Sequence, residues 1–327
     1  MDFFTSVDIP EAGFRVDYKS NIVFIGSCFA ANISKRFARS KFNILVNPLG
    51  VIYNPLSIEN QVKRIASNKP YSTSDLFFDG EKWNCFEAHS SLSVYGNENQ
   101  EQCVTALNRA IQNSHDFFEK ADTVFITLGS AFVYFLKSSG KVVSNCHKQK
   151  AELFERRLIS VDEAATALEN IIRQFYKKNT KIVFTVSPLR HLNDGAHGNN
   201  LSKATLQLAI EKVVSKYPSA SYFPSFEIVM DELRDYRFYA EDMTHLTPTA
   251  EEYIFERMTE TYCDTATIAN MKRVEKFMKT ASHRIENTAS ERTKDFARQQ
   301  IERAENLEHM IDGLDLSEEK EYFRKFI

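Results

Sequence analysis

Residues Asn21–Ala30, N-I-V-F-I-G-S-C-F-A, leave this chain few folds to adopt. A short β-branched and aromatic apolar run stops at Gly26. Ser27 and Cys28 follow, and the spacing after them predicts a helix over Phe29–Ser40. A strand that runs through a glycine directly into a helix makes a sharp turn. It lifts one small nucleophilic side chain to the carboxyl edge of a sheet, beside helix amides that have no intrahelical acceptor.

The same alternation continues along the chain. Strands are predicted at Asn43–Val46, Asp122–Leu128 and Lys181–Val186, with a short one at Ala220–Phe223. Asn54-Pro55 reads as an N-cap with proline at the first helical position, opening a helix to about Ala66. Further helices are predicted at Gln100–Phe117, from Ser202 to about Lys216, and over Thr247–Tyr262. Ser160 and Glu163 form a capping box ahead of Ala164, Leu168, Ile171, Ile172 and Phe175 at helical spacing. Residues 70–100, with Trp83, Phe86 and Tyr95, read as an insertion of short strands and loops, and Phe132–Leu136 with Lys141–Val143 as a hairpin. Strands separated by helices argue for the α/β class, a parallel sheet covered on both faces. Such sheets bind ligands at the carboxyl ends of their strands. Gly26-Ser27-Cys28, Gly129-Ser130 and Ser187-Pro188 all fall at such ends.

Glu241-Asp242-Met243-Thr244-His245 stands far downstream, before a predicted helix. Asp-x-x-His is a spacing at which one carboxylate can orient one imidazole. With the turn at Gly26 it points to acyl transfer by a side-chain nucleophile served by a His-Asp pair. The competing reading is an Asp cap and a surface histidine. Cys28 gains from its place at a helix start, where a thiol pKa is expected to be lowered. Ser27 is the other candidate nucleophile, and a tight turn with Cys28 as a small core residue is the third reading.

Composition excludes several classes. A net charge of -3 gives no field for nucleic acid or an acidic membrane surface. The cysteine count is odd, at 5, and no C-x-x-C occurs, so neither a disulfide framework nor a zinc pattern is expected. No stretch is apolar enough for a signal peptide or a membrane span, and the expected location is cytoplasmic. No Gly-x-Gly-x-x-Gly or Walker pattern supports nucleotide binding, and no metal or cofactor is expected. Past about residue 264 the chain turns dense in Glu, Lys and Arg, with an apolar stripe at Val274, Phe277, Met278, Ala281 and Ile285. The division expected is an α/β domain over 1–264 and an amphipathic helical extension over 265–327, built as one long helix or two. The stripe packs on the domain or forms a homo-oligomer surface. The part beyond about Thr288 is expected to be the more exposed.

Gly26-Ser27-Cys28-Phe29-Ala30 resembles the signature of the GSCFA domain family. Asn47-Pro48-Leu49-Gly50, Tyr53-Asn54-Pro55, Thr127-Leu128-Gly129-Ser130-Ala131, Asn145-Cys146-His147, Ser187-Pro188-Leu189-Arg190-His191 and Asp235–Tyr239 leading to Asp242–His245 are similar to it as well. That family is grouped with the SGNH, or GDSL-like, esterases and acyltransferases. The resemblance implies a flavodoxin-like three-layer α/β/α sandwich and acyl-ester chemistry on a small substrate such as an acetylated carbohydrate, with acyl-CoA as a conceivable donor. The SGNH register places Cys28 at the nucleophile and Ser27 one position before it; a shift by one selects Ser27. Asp242 and His245 match the Asp-x-x-His block. Gly50 is the implied oxyanion glycine. The family asparagine donor falls at Ala131, so Asn145, His147 or the amides near Gly129 and Ser130 are the replacements expected. Arg190 and His191 either bind a polar or anionic substrate group or cap loops. A binding module that has lost turnover is the alternative.

Overall fold

The apolar run behind Gly26 forms β1 (Ile22–Gly26), and α1 (Cys28–Arg39) follows with only Ser27 between them. The computed structural model describes residues 5–88, 98–175, 179–282 and 290–327; Tyr95 of the predicted insertion and Ile285 of the tail stripe lie outside them. Along the chain come β2 (Ile44–Val46), α2 (Pro55–Ala66), β3 (Leu76–Phe78), β4 (Trp83–Cys85), α3 (Gln100–Phe118) and β5 (Thr123–Leu128). Then follow β6 (Phe132–Leu136), β7 (Val142–Val143), β8 (Phe154–Leu158), α4 (Val161–Phe175), β9 (Lys181–Val186) and α5 (Gly195–Val214). The chain ends with β10 (Ala220–Tyr222), the short α6 (Ser225–Glu227), α7 (Pro248–Tyr262), α8 (Thr265–Ala281), α9 (Glu291–Met310) and α10 (Ser317–Arg324).

Five strands pair in the order β10-β9-β5-β1-β2. Every pairing among them is parallel. This is the flavodoxin-like order, which reverses between β1 and β5, the point where such sheets hold ligands. Strand periodicity divides the core into two layers. Val23 and Ile25 of β1, Val124 and Ile126 of β5, and Ile182 and Phe184 of β9 pack beneath α2, α3, α4 and α5. Ile22, Phe24, Phe125 and Val183 point the other way, toward α1, α7 and the C-terminal helices. Phe24 and Phe125 stack there with ring centroids 5.0 Å apart. Both faces are therefore buried, as the continuous apolar strands require.

Local signals hold where they were strongest. Asn54 Oδ1 accepts the Ser57 N–H at 2.8 Å, capping α2. Ser160 and Glu163 exchange their capping-box bonds at 2.9 and 3.1 Å. All five cysteines are free. Among the described residues no helix is long and apolar enough to cross a membrane.

Three expectations are corrected. Helix α5 begins at Gly195 rather than Ser202. Ser202 is buried inside it, and its Oγ accepts the Ala131 N–H at 2.7 Å. β8, absent from the sequence reading, pairs antiparallel with β6. Its charged F-E-R-R-L run masks the strand, because the stems of the exposed Arg156 and Arg157 are held over the rings of Phe132 and Phe135, a pairing no local pattern shows. The tail forms three described helices, and its distal part, though mostly exposed, also buries apolar side chains. Ala297, Ala304, Leu316 and Phe323 are as buried as Val274 and Phe277 and join the same core layer as α1 and α7.

Gly26 carries the turn. Its φ is +147°, and a Cβ there would sit 2.3 Å from the Thr127 carbonyl oxygen on β5. Gly26→Ala must push β1 away from β5 or unbend the turn. A loss of about 2–4 kcal/mol is expected, read as a fall in the denaturant midpoint at unchanged m-value. A midpoint equal to wild type would mean that the close approach is easily relieved.

Candidate active site

The turn is held from the side by β2. Asn47, in a left-handed conformation at φ 41°, accepts the Gly26 N–H on Oδ1 at 2.8 Å. Ser27 is then the N-cap of α1, yet its side chain makes no cap bond. Its Oγ is buried and finds no partner among the described residues. Cys28, at the first helical position, is partly exposed. The backbone N–H groups of Phe29 and Cys28 are directed at its sulfur.

His245 arrives from the loop before α7. The loop is closed by a bridge between Tyr239 and Leu246 and by the Ala240 N–H donating to the His245 carbonyl at 2.8 Å. Asp242 Oδ1 accepts the N–H groups of Thr244 and His245, both at 2.9 Å. Its Oδ2 meets His245 Nδ1 at 2.5 Å. Those bonds, the backbone ones first, hold the Asp242 carboxyl well below the usual carboxylate range. The carboxylate fixes Nδ1 as the protonated nitrogen, so Nε2 presents its lone pair. Nε2 lies 3.7 Å from Cys28 Sγ.

Of the two candidate nucleophiles, the structure brings Cys28 to His245 and keeps Ser27 inside. The expected lowering of the thiol pKa is reversed. Burial pushes the Cys28 thiol up, and the Glu251 carboxylate adds to this; the helix amides and the Lys203 charge offset it only in part. Glu251 is itself paired with Arg36 at 3.2 Å. Desolvation outweighs the helix end because the Cys28 thiol is largely buried.

The predicted oxyanion donors fare unequally. The Gly50 N–H already donates to the Asn47 carbonyl at 2.8 Å, and the Gly129 N–H to the Tyr53 carbonyl at 2.7 Å. The Ser130 N–H makes only a long contact to the same Tyr53 carbonyl, at 3.4 Å. His147 is turned into the interior, with Nε2 2.7 Å from the Cys85 carbonyl oxygen, so it does not serve the site. Asn145 lines the cleft; its Oδ1 accepts the His147 N–H at 2.7 Å, and its amide nitrogen has no acceptor among the described residues. The amides directed at the Cys28 sulfur are thus those at the start of α1, with Asn145 on the cleft wall.

A cleft of about 760 Å³ opens beside His245, with Thr244 on its rim. Tyr53, Phe132 and Tyr134 give it aromatic walls, and Arg156, Arg190, His191 and Asp194 its polar ones. Arg156 is ion-paired with Asp194 and lies 4.2 Å from the Phe132 ring centroid. The His191 ring packs on Tyr53, and burial above all, then the nearby Lys203 charge, pushes its pKa down to about 4, so it is neutral.

Lys203 belongs to no motif in the sequence, yet it sits at the centre of the sheet edge. It is 2% exposed, and its Nζ donates to the carbonyls of Gly129 at 2.6 Å and Ser187 at 2.7 Å. It ties together the carboxyl ends of β5 and β9 from beneath the site. Burial first, then the Arg190 charge, push its pKa down to about 7. A signal did exist: Lys203, Leu206, Ile210 and Val213 share one helical stripe. The stripe marks a buried face but not the two strand-end carbonyls that Nζ meets, which only the folded sheet supplies. Among the described residues no three His, Cys, Asp or Glu side chains gather as a metal site.

A family model described as the GSCFA family matches residues 21–258. The matched span contains Cys28, Lys203, Asp242 and His245 and ends inside α7. No curated protein matches the chain.

Proposed function

This chain belongs to the GSCFA family, and from that premise we propose that it is an SGNH-like esterase or O-acyltransferase. It acts on a small acyl ester, acetyl on a carbohydrate, through Cys28. The observation that carries the reading is Cys28 Sγ 3.7 Å from His245 Nε2, with Asp242 on the opposite ring nitrogen. The resemblance to SGNH enzymes and the place of Cys28 at the sheet's reversal point support it.

The chemistry follows from the protonation states. Cys28 is a thiol near neutral pH, so His245 Nε2 takes its proton as the sulfur adds to the ester carbonyl carbon. The oxyanion forms against the α1 amides. His245 then gives the proton to the departing alkoxide, leaving a thioester on Cys28. Water or an acceptor hydroxyl attacks that thioester, its proton passing to His245, and the sulfur leaves as the thiol. An acyl-CoA donor would load the same sulfur.

One observation favours a second reading, a binding module with weak turnover: the Gly50 and Gly129 amides are engaged elsewhere. Intact-mass and peptide analysis after incubation with activated acetyl esters separates the two. We expect an acetyl adduct on Cys28 that is absent in Cys28→Ala and retained in Ser27→Ala. An adduct on Ser27 would move the nucleophile by one residue. No adduct at all, with no ester turnover, would leave the binding module.

A further inference from the structure

We infer that Arg190 is the specificity-determining residue of the cleft, receiving an oxyanion group, a carboxylate or a phosphate, carried by the carbohydrate ester. The inference rests on the reading of the cleft as an ester site. The chain as a whole is negative, at -3, but the cleft is not. Its one acidic lining residue, Asp194, is already paired with Arg156. Asp242 is held by His245, and Glu251 by Arg36.

Arg190 has no such partner. Its guanidinium donates to Asn200 Oδ1 at 3.3 Å and to Met230 Sδ at 3.0 Å, both neutral acceptors. Among the described residues no carboxylate pairs with it. Lys203 stands behind it, close enough for the two charges to repel, and its two carbonyl acceptors carry no net charge. Arg190 therefore faces the cleft with no counter-ion among the described residues, and Lys203 beneath it adds repulsion rather than neutralisation. A half-buried guanidinium with only neutral acceptors carries desolvation that those bonds offset only in part. Its planar fork fits a carboxylate or phosphate through paired N–H···O bonds. The aromatic walls and the neutral His191 leave room for a sugar ring beside that anion.

The test measures binding apart from turnover. Cys28→Ala protein is titrated by calorimetry with an O-acetylated methyl glycoside, its uronate counterpart and its sugar-phosphate counterpart. Wild-type acyl transfer to or from the same compounds is followed in parallel. At least one anionic ester is expected to bind roughly tenfold to a hundredfold more tightly than the neutral one. Whether the uronate or the phosphate does so identifies the source of the anion. Adding Arg190→Gln should erase the gap, and Arg190→Lys should keep part of it, with circular dichroism confirming the fold of each. Equal affinity for neutral and anionic esters, no binding of either anionic ester, or a gap that survives Arg190→Gln would overturn the inference. Anion preference without any transfer by wild type would instead remove the enzyme reading and leave the anion site. Transfer without preference would do the reverse.

Discussion

His245→Ala is expected to lower acyl transfer by about 10³–10⁵-fold with the fold intact. The size follows from the state of the sulfur. A cysteine already ionised by its surroundings would keep much of its reactivity without a base. Here burial raises the Cys28 thiol pKa, so near neutral pH the proton must be removed during attack. Nε2 of His245, 3.7 Å away, is the acceptor placed to take it. The fold should survive because the ring is half exposed on a loop, and its other contacts are to Asp242 and Thr244. Asp242→Asn should lose less than His245→Ala, because it removes the orientation of the base and not the base. Steady-state ester turnover with circular dichroism decides the matter. A folded His245→Ala protein within about tenfold of wild type would end the general-base role.

The central sheet was legible because its strands are buried on both faces. Val-Phe-Ile runs that end at Gly26 and Gly129 leave little choice but a parallel sheet with crossings by helices. Caps were legible because they are local: Asn54 and Ser160 each satisfy an amide a few residues away. β8 and the true start of α5 were not, because tertiary contacts decide them. Arg156 is in a strand by virtue of the rings and carboxylate it meets, none of them its neighbours in sequence. The site divides the same way. Cys28, Asp242 and His245 are readable as residue types at set spacings. Whether Cys28 is a thiol or a thiolate depends on desolvation, which no spacing reveals. The engagement of the Gly50 and Gly129 amides is likewise a matter of turns that form only once β2 and β5 lie beside β1.

Lys203 gives the second large effect, in stability against pH. Its folded pKa is pushed down to about 7 from an ordinary value of 10.5, with burial as the main cause. Between those values the unfolded chain binds the proton and the folded chain does not. Folding stability therefore rises with pH from about 7 toward about 10.5. Below about 7 the group is charged in both states, and the folded protein carries the full cost of a buried ammonium. The steepest gain a single group can give is about 1.4 kcal/mol per pH unit. Lys203→Met keeps the volume and removes the titration. It also leaves the Gly129 and Ser187 carbonyls without this donor, but that loss does not vary with pH. The difference between wild type and variant should thus grow in favour of wild type by about 1–2 kcal/mol from about pH 7 to about pH 8.5. Taking the difference cancels the other groups. Cys85 and Cys263, whose thiols burial pushes up to about 12, contribute stability that is lost only as pH climbs above the ordinary thiol value. Denaturant unfolding of both proteins across this window reads the slope directly. A difference that stays flat would mean that the two carbonyls hold Lys203 charged throughout, a permanent cation beneath Cys28 rather than one that loses its proton near neutrality.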